Sequence, residues 1–141
     1  MKILTLLIVV LCLAGSLDAS FALREHYNTE LSPCSINERW DCGIVNHSPF
    51  SAMKGVPVAI IGIFGYSLLA ALAGRFPRIM ALTAIAGLVF SLRLTYIEWK
   101  VLETWCIYCV TSQAIIASIT VLAVVAAFVD RRKAPKAATT T

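Results

Sequence analysis

The chain has 141 residues, of which 59% are apolar and 14% charged, with a formal net charge of +4 and a mean hydropathy of +0.81. These values lie far from those of a water-soluble domain and indicate an integral membrane protein. The positive charge collects mainly in short anchors between and after the apolar stretches, which leaves no nucleic-acid footprint.

Four apolar stretches make up most of the chain: residues 3–23, 56–74, 79–97 and 106–129. Each approaches or exceeds the ~20 residues that span a bilayer core of roughly 30 Å. Lipid gives the backbone no hydrogen-bond partner, so each stretch is expected to be a helix. The alternating segments of about 10 residues that build a barrel are not the pattern here. The expected fold is an all-α membrane protein, a four-transmembrane-helix bundle over residues 1–130. A long periplasmic loop or cap at residues 24–54 joins the first two helices, and a basic cytoplasmic tail occupies residues 131–141. The first stretch, with Lys2 before it and small residues around "ASFA", also resembles a secretory signal peptide, so cleavage of about residues 1–22 is a competing reading.

Lys2, the tight link carrying Arg75 and Arg78, and the tail "DRRKAPK" fall on one side of such a bundle. By the positive-inside rule that side is the cytoplasm, which places both termini there in a multi-pass protein of a bacterial inner membrane. The loop and the short "EWKVLET" segment then face the periplasm. At about 30 residues the loop is too long for a simple connection. Its second half, "CGIVNHSPFSAM", offers Ile44, Val45 and Phe50 to the membrane surface as a short amphipathic cap over the bundle mouth; the same residues could instead pack the loop down. In "GVPVAIIGIFGYS", Pro57 suits a first helical turn. Ala59, Gly62, Gly65 and Ser67 make a small face that a neighbouring helix or a flat ring could approach. Arg93, near Tyr96 and Trp99, either snorkels to the outer interface or meets a ligand.

There are five cysteines: Cys12, Cys34, Cys42, Cys106 and Cys109. Cys12 lies within the first span and is expected to pack as a small apolar residue. The other four lie on the outer side or at its membrane boundary, where an oxidising compartment lets disulfides form. Cys106 and Cys109 head the fourth helix, where free backbone N–H groups and the helix dipole stabilise a thiolate. Two thiols at that spacing lie close enough to close a readily exchanged ring. A structural staple, or a zinc site completed by Cys34, Cys42, His26 or His47, would use the same residues. Haem attachment needs His where Val110 stands. The second pair, Cys34-x7-Cys42, favours a relay by thiol–disulfide exchange, and no metal is expected. Gln113, one turn beyond Cys109, is an amide just inside the apolar region. It needs either a neighbouring helix or the carbonyl of a lipid-soluble ligand as partner.

Four spans, the "C-x7-C" loop, Ser48 six residues after its second Cys, "GVPVAIIGIFGY" and "WCIYC" at the head of the last span together resemble the vitamin K epoxide reductase family, in particular its bacterial members. The likeness runs from the first span to about Val129. Quinone-linked oxidases of the DsbB type also combine four helices with two Cys pairs, but their Cys-x-x-Cys precedes the large Cys-bearing loop. The resemblance implies a membrane thiol–disulfide oxidoreductase that reoxidises a separate periplasmic thioredoxin-like (DsbA-like) protein and reduces a quinone, ubiquinone or menaquinone. Cys34 would exchange with the partner, Cys42 would pass electrons to Cys106, and Cys109 would deliver them to the quinone. Ser48 would sit in the cap over the quinone pocket, and with Phe50 and Gln113 it forms the candidate quinone-binding set. Vertebrate members carry Tyr at the place of Gln113 and Asn near Ile61, so the substrate details of the animal enzymes do not transfer. Many bacterial members continue into a fused thioredoxin-like domain, whereas this sequence ends in "RRKAPKAATTT", and a single-domain member is expected. The alternative from another class is a non-catalytic membrane module whose outer loop is held by a disulfide or zinc.

Overall fold

The computed structural model describes residues 1–137, with side chains as far as Arg132; of the expected basic tail at residues 131–141, residues 138–141 lie outside the described residues. The chain is mostly helical. Helix α1 spans Lys2–Tyr27, α2 Cys42–Asn46, α3 Val58–Leu72, α4 Pro77–Ile97 and α5 Ile107–Ala137. A 3-10 turn at Pro49–Ser51 and a small hairpin, β1 at Ala52–Met53 and β2 at Val56–Pro57, link α2 to α3. A π-helical turn, Glu98–Leu102, extends α4.

Three helices are long and apolar enough to cross a membrane, Lys2–Tyr27, Pro77–Leu102 and Ile107–Arg132, and the chain is a membrane protein. Helix α3 is apolar but has only 15 residues, about 22 Å at 1.5 Å per residue, against a hydrocarbon core of roughly 30 Å. Both ends of the expected 56–74 stretch go elsewhere. Val56 and Pro57 pair with β1, and the chain leaves α3 through Gly74, whose φ of 79° suits a residue without Cβ. The hairpin has the same local logic: Lys54 and Gly55 both take positive φ, 51° and 84°, as a two-residue turn matched to strand twist requires.

Helix α1 continues past Leu23 to Tyr27 although its last turn is polar. Glu25 is buried, and His26 Nδ1–H donates to the Asn46 carbonyl at 2.7 Å, so this turn is held by the loop above it. Helix α1 packs on α3 and α5, and α4 packs on α5. The shared core includes Ile8, Cys12, Tyr66, Leu69, Met80, Ile119 and Ala123. Cys12 is only 1% exposed there and packs as an apolar residue. The outer faces carry exposed Leu6, Leu13, Leu17, Phe64, Leu82 and Val121, the surface that lipid would cover.

One close approach organises the middle of the bundle. A Cβ on Gly15 would lie 2.5 Å from Tyr66 Cζ, so only glycine lets the α3 ring reach across α1. The Tyr66 hydroxyl then shares a hydrogen bond with Ser112 Oγ at 2.7 Å and donates to the Ser112 carbonyl at 3.1 Å. Three helices thus meet at one ring.

Candidate functional site

The segment between α1 and α3 folds back onto the start of α5. The Trp105 N–H donates to the Arg39 carbonyl at 2.7 Å, and the Asp41 N–H donates to the Trp105 carbonyl at 3.1 Å. Trp40 and Trp105 are therefore bridged in parallel, and a cysteine follows closely on each segment, Cys106 directly after Trp105 and Cys42 two residues after Trp40. Asp41 also begins α2, its carboxylate accepting from the Ile44 N–H at 3.1 Å and the Ser35 hydroxyl at 2.8 Å, which orients Cys42 at the first position of that helix.

The result is one buried cluster of Cys34, Cys42, Val45 and Cys106, with Leu102, Tyr108 and Cys109 packed against it. Cys34 and Cys42 are joined as a disulfide, their Cα atoms 5.5 Å apart, while Cys106 and Cys109 carry free thiols. Cys42 and Cys106 are each 0% exposed. Asn46 braces the junction: its Nδ2 donates to the Cys42 carbonyl at 2.9 Å and toward Cys106 Sγ at 3.7 Å. All four outer cysteines singled out in the sequence are therefore brought together.

Cys106 sits immediately before α5, ahead of the membrane-crossing segment. A hydrogen bond from the Cys109 thiol pulls the Cys106 thiol below its ordinary pKa, helped by the backbone N–H groups of Cys109 and Tyr108. Burial and the nearby Glu98 carboxylate push the other way and do not prevail. A helix start that favours a thiolate is what the Cys-x-x-Cys position implies.

Below the cluster lies a cavity of about 370 Å³ bounded by α1, α3, α4, α5 and the cap. Cys109 opens onto it, whereas Cys34, Cys42 and Cys106 do not. Ala59, Gly62 and Gly65 supply a wall of small residues on α3, and Val45, Ser48, Phe50 and Ser51 close it from the cap. Ser48 donates to the Val45 carbonyl at 2.8 Å. Of the three expected contacts, Ser48 and Phe50 line the cavity and Gln113 does not. The Gln113 carbonyl oxygen instead accepts from Ser91 Oγ and, at 3.2 Å, from Thr95 Oγ1. Those two α4 residues do line the cavity, so Gln113 stands one layer behind its wall.

Several residues here were not singled out from the sequence. Asp18 lines the cavity, and its Oδ2 is buried without a hydrogen-bond partner among the described residues. Its signal was an acid inside an apolar run, which the signal-peptide reading absorbed. Glu98, 3% exposed, accepts the Cys106 N–H at 3.2 Å. Its signal was weaker, one acid in a segment that reads as outward-facing. The candidate zinc ligands His26 and His47 both donate through Nδ1 to backbone carbonyls, of Asn46 and Gly43. Among the described residues no group of three or more His, Cys, Asp or Glu is placed to hold a metal ion.

Among curated proteins none matches the chain. The family model described as VKOR, Vitamin K epoxide reductase family, matches residues 6–124, a range that contains every residue of the cysteine cluster and of the cavity lining. The chain belongs to the vitamin K epoxide reductase family and is a membrane oxidoreductase acting on disulfides.

Proposed function

We propose that the protein is a quinone-dependent disulfide oxidase of a bacterial inner membrane, with α1, α3, α4 and α5 as four spans and both termini in the cytoplasm. Its partner in this reading is a separate periplasmic thioredoxin-like protein. The observation that carries the proposal is the gathering of Cys34, Cys42, Cys106 and Cys109 at the mouth of an apolar cavity that Cys109 alone of the four lines.

The cavity suits a flat, mostly apolar ring with polar oxygens. Its volume falls at the lower end of the ~300–1,000 Å³ of ordinary ligand pockets. Its wall is apolar except at a few points, among them Ser48, the paired hydroxyls of Tyr66 and Ser112, and Asp18 with its unpartnered oxygen. A quinone bound there would accept two electrons and two protons.

The chain's own part is a series of exchanges. A partner thiolate attacks the Cys34–Cys42 disulfide at Cys34, the partner leaves oxidised, and the loop is left as a dithiol. Cys42, as thiolate, attacks Cys106 of an oxidised Cys106–Cys109 pair; a Cys42–Cys106 bond forms and Cys109 leaves as thiolate. Cys34 then attacks Cys42, restoring the loop disulfide and freeing Cys106. The inner dithiol closes again as its electron pair leaves through Cys109 on the cavity side. Asn46 holds Cys42 beside Cys106 through these steps.

The test is quinone reduction by purified protein supplied with a reduced thioredoxin-like partner, with each of the four cysteines replaced in turn. Each replacement should abolish turnover, and Cys109→Ala should accumulate a Cys42–Cys106 disulfide. Turnover that survives Cys109→Ala would sink the relay.

A further inference from the structure

The geometry points to Glu98 as a catalytic residue, the proton acceptor for the Cys109 thiol. This deepens the relay reading above and rests on it for the identity of the final electron acceptor.

A carboxyl group 3% exposed at the edge of an apolar bundle is costly unless its environment uses it. The π-helical turn Glu98–Leu102 places it there, and single π turns inside helices recur at functional sites. One oxygen accepts the Cys106 N–H at 3.2 Å. The carboxyl also meets the Cys109 thiol, and no basic side chain acts on it. Glu98 and Cys109 line the same cavity. The carboxylate thus has no cation to neutralise it and one ionisable hydrogen within reach, that of Cys109.

Closing the inner pair requires that hydrogen to leave. Cys106 is pulled below its ordinary pKa by the Cys109 hydrogen bond and the backbone N–H groups at the helix start; Cys109 is the thiol of the pair that faces the cavity and Glu98. In the step assigned to Glu98, the S–H bond of Cys109 breaks and an O–H bond forms on the carboxylate. The electron pair stays on sulfur, giving a Cys109 thiolate and a neutral Glu98 acid, and no oxidant or reductant is consumed. The proton then rests on a group that faces the cavity, where a reduced acceptor would need it. A helix-capping role alone would require only an oxygen acceptor for the Cys106 N–H, which an amide also provides.

Glu98→Gln separates the two roles, since it keeps that acceptor and removes the basicity. With reduced partner and a soluble quinone, Glu98→Gln should turn over about 100-fold more slowly, the lower end of general-base effects. Its rate should climb with pH where the wild-type rate is level, while the rate of partner exchange at Cys34 stays within twofold. Glu98→Asp, which keeps a carboxylate, should recover at least tenfold of the loss. The same comparison is made with a small aromatic disulfide as oxidant, in a Cys34→Ser/Cys42→Ser background, reading formation of the Cys106–Cys109 bond. Wild type that reduces no quinone would overturn the quinone reading, and the small-disulfide arm would still judge Glu98. In either arm, a Glu98→Gln rate within threefold of wild type with an unchanged pH profile, or no recovery in Glu98→Asp, overturns the assignment.

Discussion

Replacing Cys109 by alanine should move the titration of Cys106 to higher pH. The largest effect holding the Cys106 thiol below its ordinary pKa is the hydrogen bond from the Cys109 thiol; the backbone N–H groups of Cys109 and Tyr108 contribute less, and burial and Glu98 oppose them. A hydrogen bond to a charged group is worth about 1.5–3 kcal/mol, and 1.36 kcal/mol corresponds to one pKa unit. Cys109→Ala leaves the backbone donors in place and removes only the side-chain one, so the Cys106 midpoint should rise by about 1–2 pH units. The sign follows directly: with the pKa raised, the reactive thiolate is populated only at higher pH, and the fraction present near neutrality falls. The assay is the pH dependence of Cys106 alkylation by iodoacetamide in the fully reduced protein, read by peptide mass. Burial of Cys106 at 0% exposure slows alkylation in wild type and variant alike, so the comparison of midpoints carries the test. Cys109→Ser retains a hydroxyl donor and should regain most of the shift. Equal midpoints for wild type and Cys109→Ala, or a Ser variant that shifts as far as the Ala variant, would refute the hydrogen-bond account.

Gly15→Ala puts a Cβ 2.5 Å from the Tyr66 ring and should cost about 1–3 kcal/mol as overpacking, seen as a lower unfolding midpoint in detergent; Tyr66→Leu should relieve part of it, and strictly additive effects would show that the two sites do not touch. Asn46→Ala removes the donor that reaches the Cys42 carbonyl and Cys106 Sγ. It should slow Cys42–Cys106 bond formation in a Cys109→Ala background about tenfold, for a hydrogen bond worth about 1 kcal/mol or somewhat more; an unchanged rate would remove Asn46 from the junction. Gln113→Leu deprives Ser91 and Thr95 of their shared acceptor and should cost about 0.5–2 kcal/mol of stability. Unchanged stability with a raised KM for quinone would instead return Gln113 to the ligand.

The parts of this structure legible in the sequence are those written locally. Lipid solubility is a property of composition, so the helices at Lys2–Tyr27, Pro77–Leu102 and Ile107–Arg132 follow from apolar runs alone, and the Cys106/Cys109 spacing announces a helix start. The apolar residues clustered after Cys42 were legible too, and of them Val45 and Phe50 line the cavity. What the sequence did not display depends on non-local partners or on single-residue geometry. Helix α1 gains its polar last turn only because Asn46, twenty positions on, accepts from His26. Helix α3 is short because Val56 and Pro57 are taken by a hairpin whose turn rests on two positive φ values. Gln113 follows Cys109 by one turn, and helical periodicity puts both on one side. That periodicity does not say that Ser91 and Thr95 of α4 would engage the amide before the cavity is reached. Glu98 was hidden for a related reason: the group it accepts from, the Cys106 N–H, lies eight residues on across the π turn, and no local pattern announces that contact.

The same non-local features explain how a relay could work without exposing its inner thiols. The pairing of Arg39 and Asp41 with Trp105 fixes the loop to the chain just before Cys106, and Asn46 adds a second tie one helical turn later. Exchange between Cys42 and Cys106 then involves little search: both sulfurs belong to one buried cluster held by these ties, the kind of prearrangement under which effective molarities become large. Water is kept from that junction by the burial of Cys42 and Cys106. Solvent thiols would therefore have to enter through Cys34, the loop cysteine outside the paired strand, and electrons could leave only past Cys109, the one cysteine that opens on the cavity. The route through such a chain comes from this layering of access, and a substitution that loosened the Trp40–Trp105 bridge would be expected to let small thiols reach Cys106 and bypass Cys34.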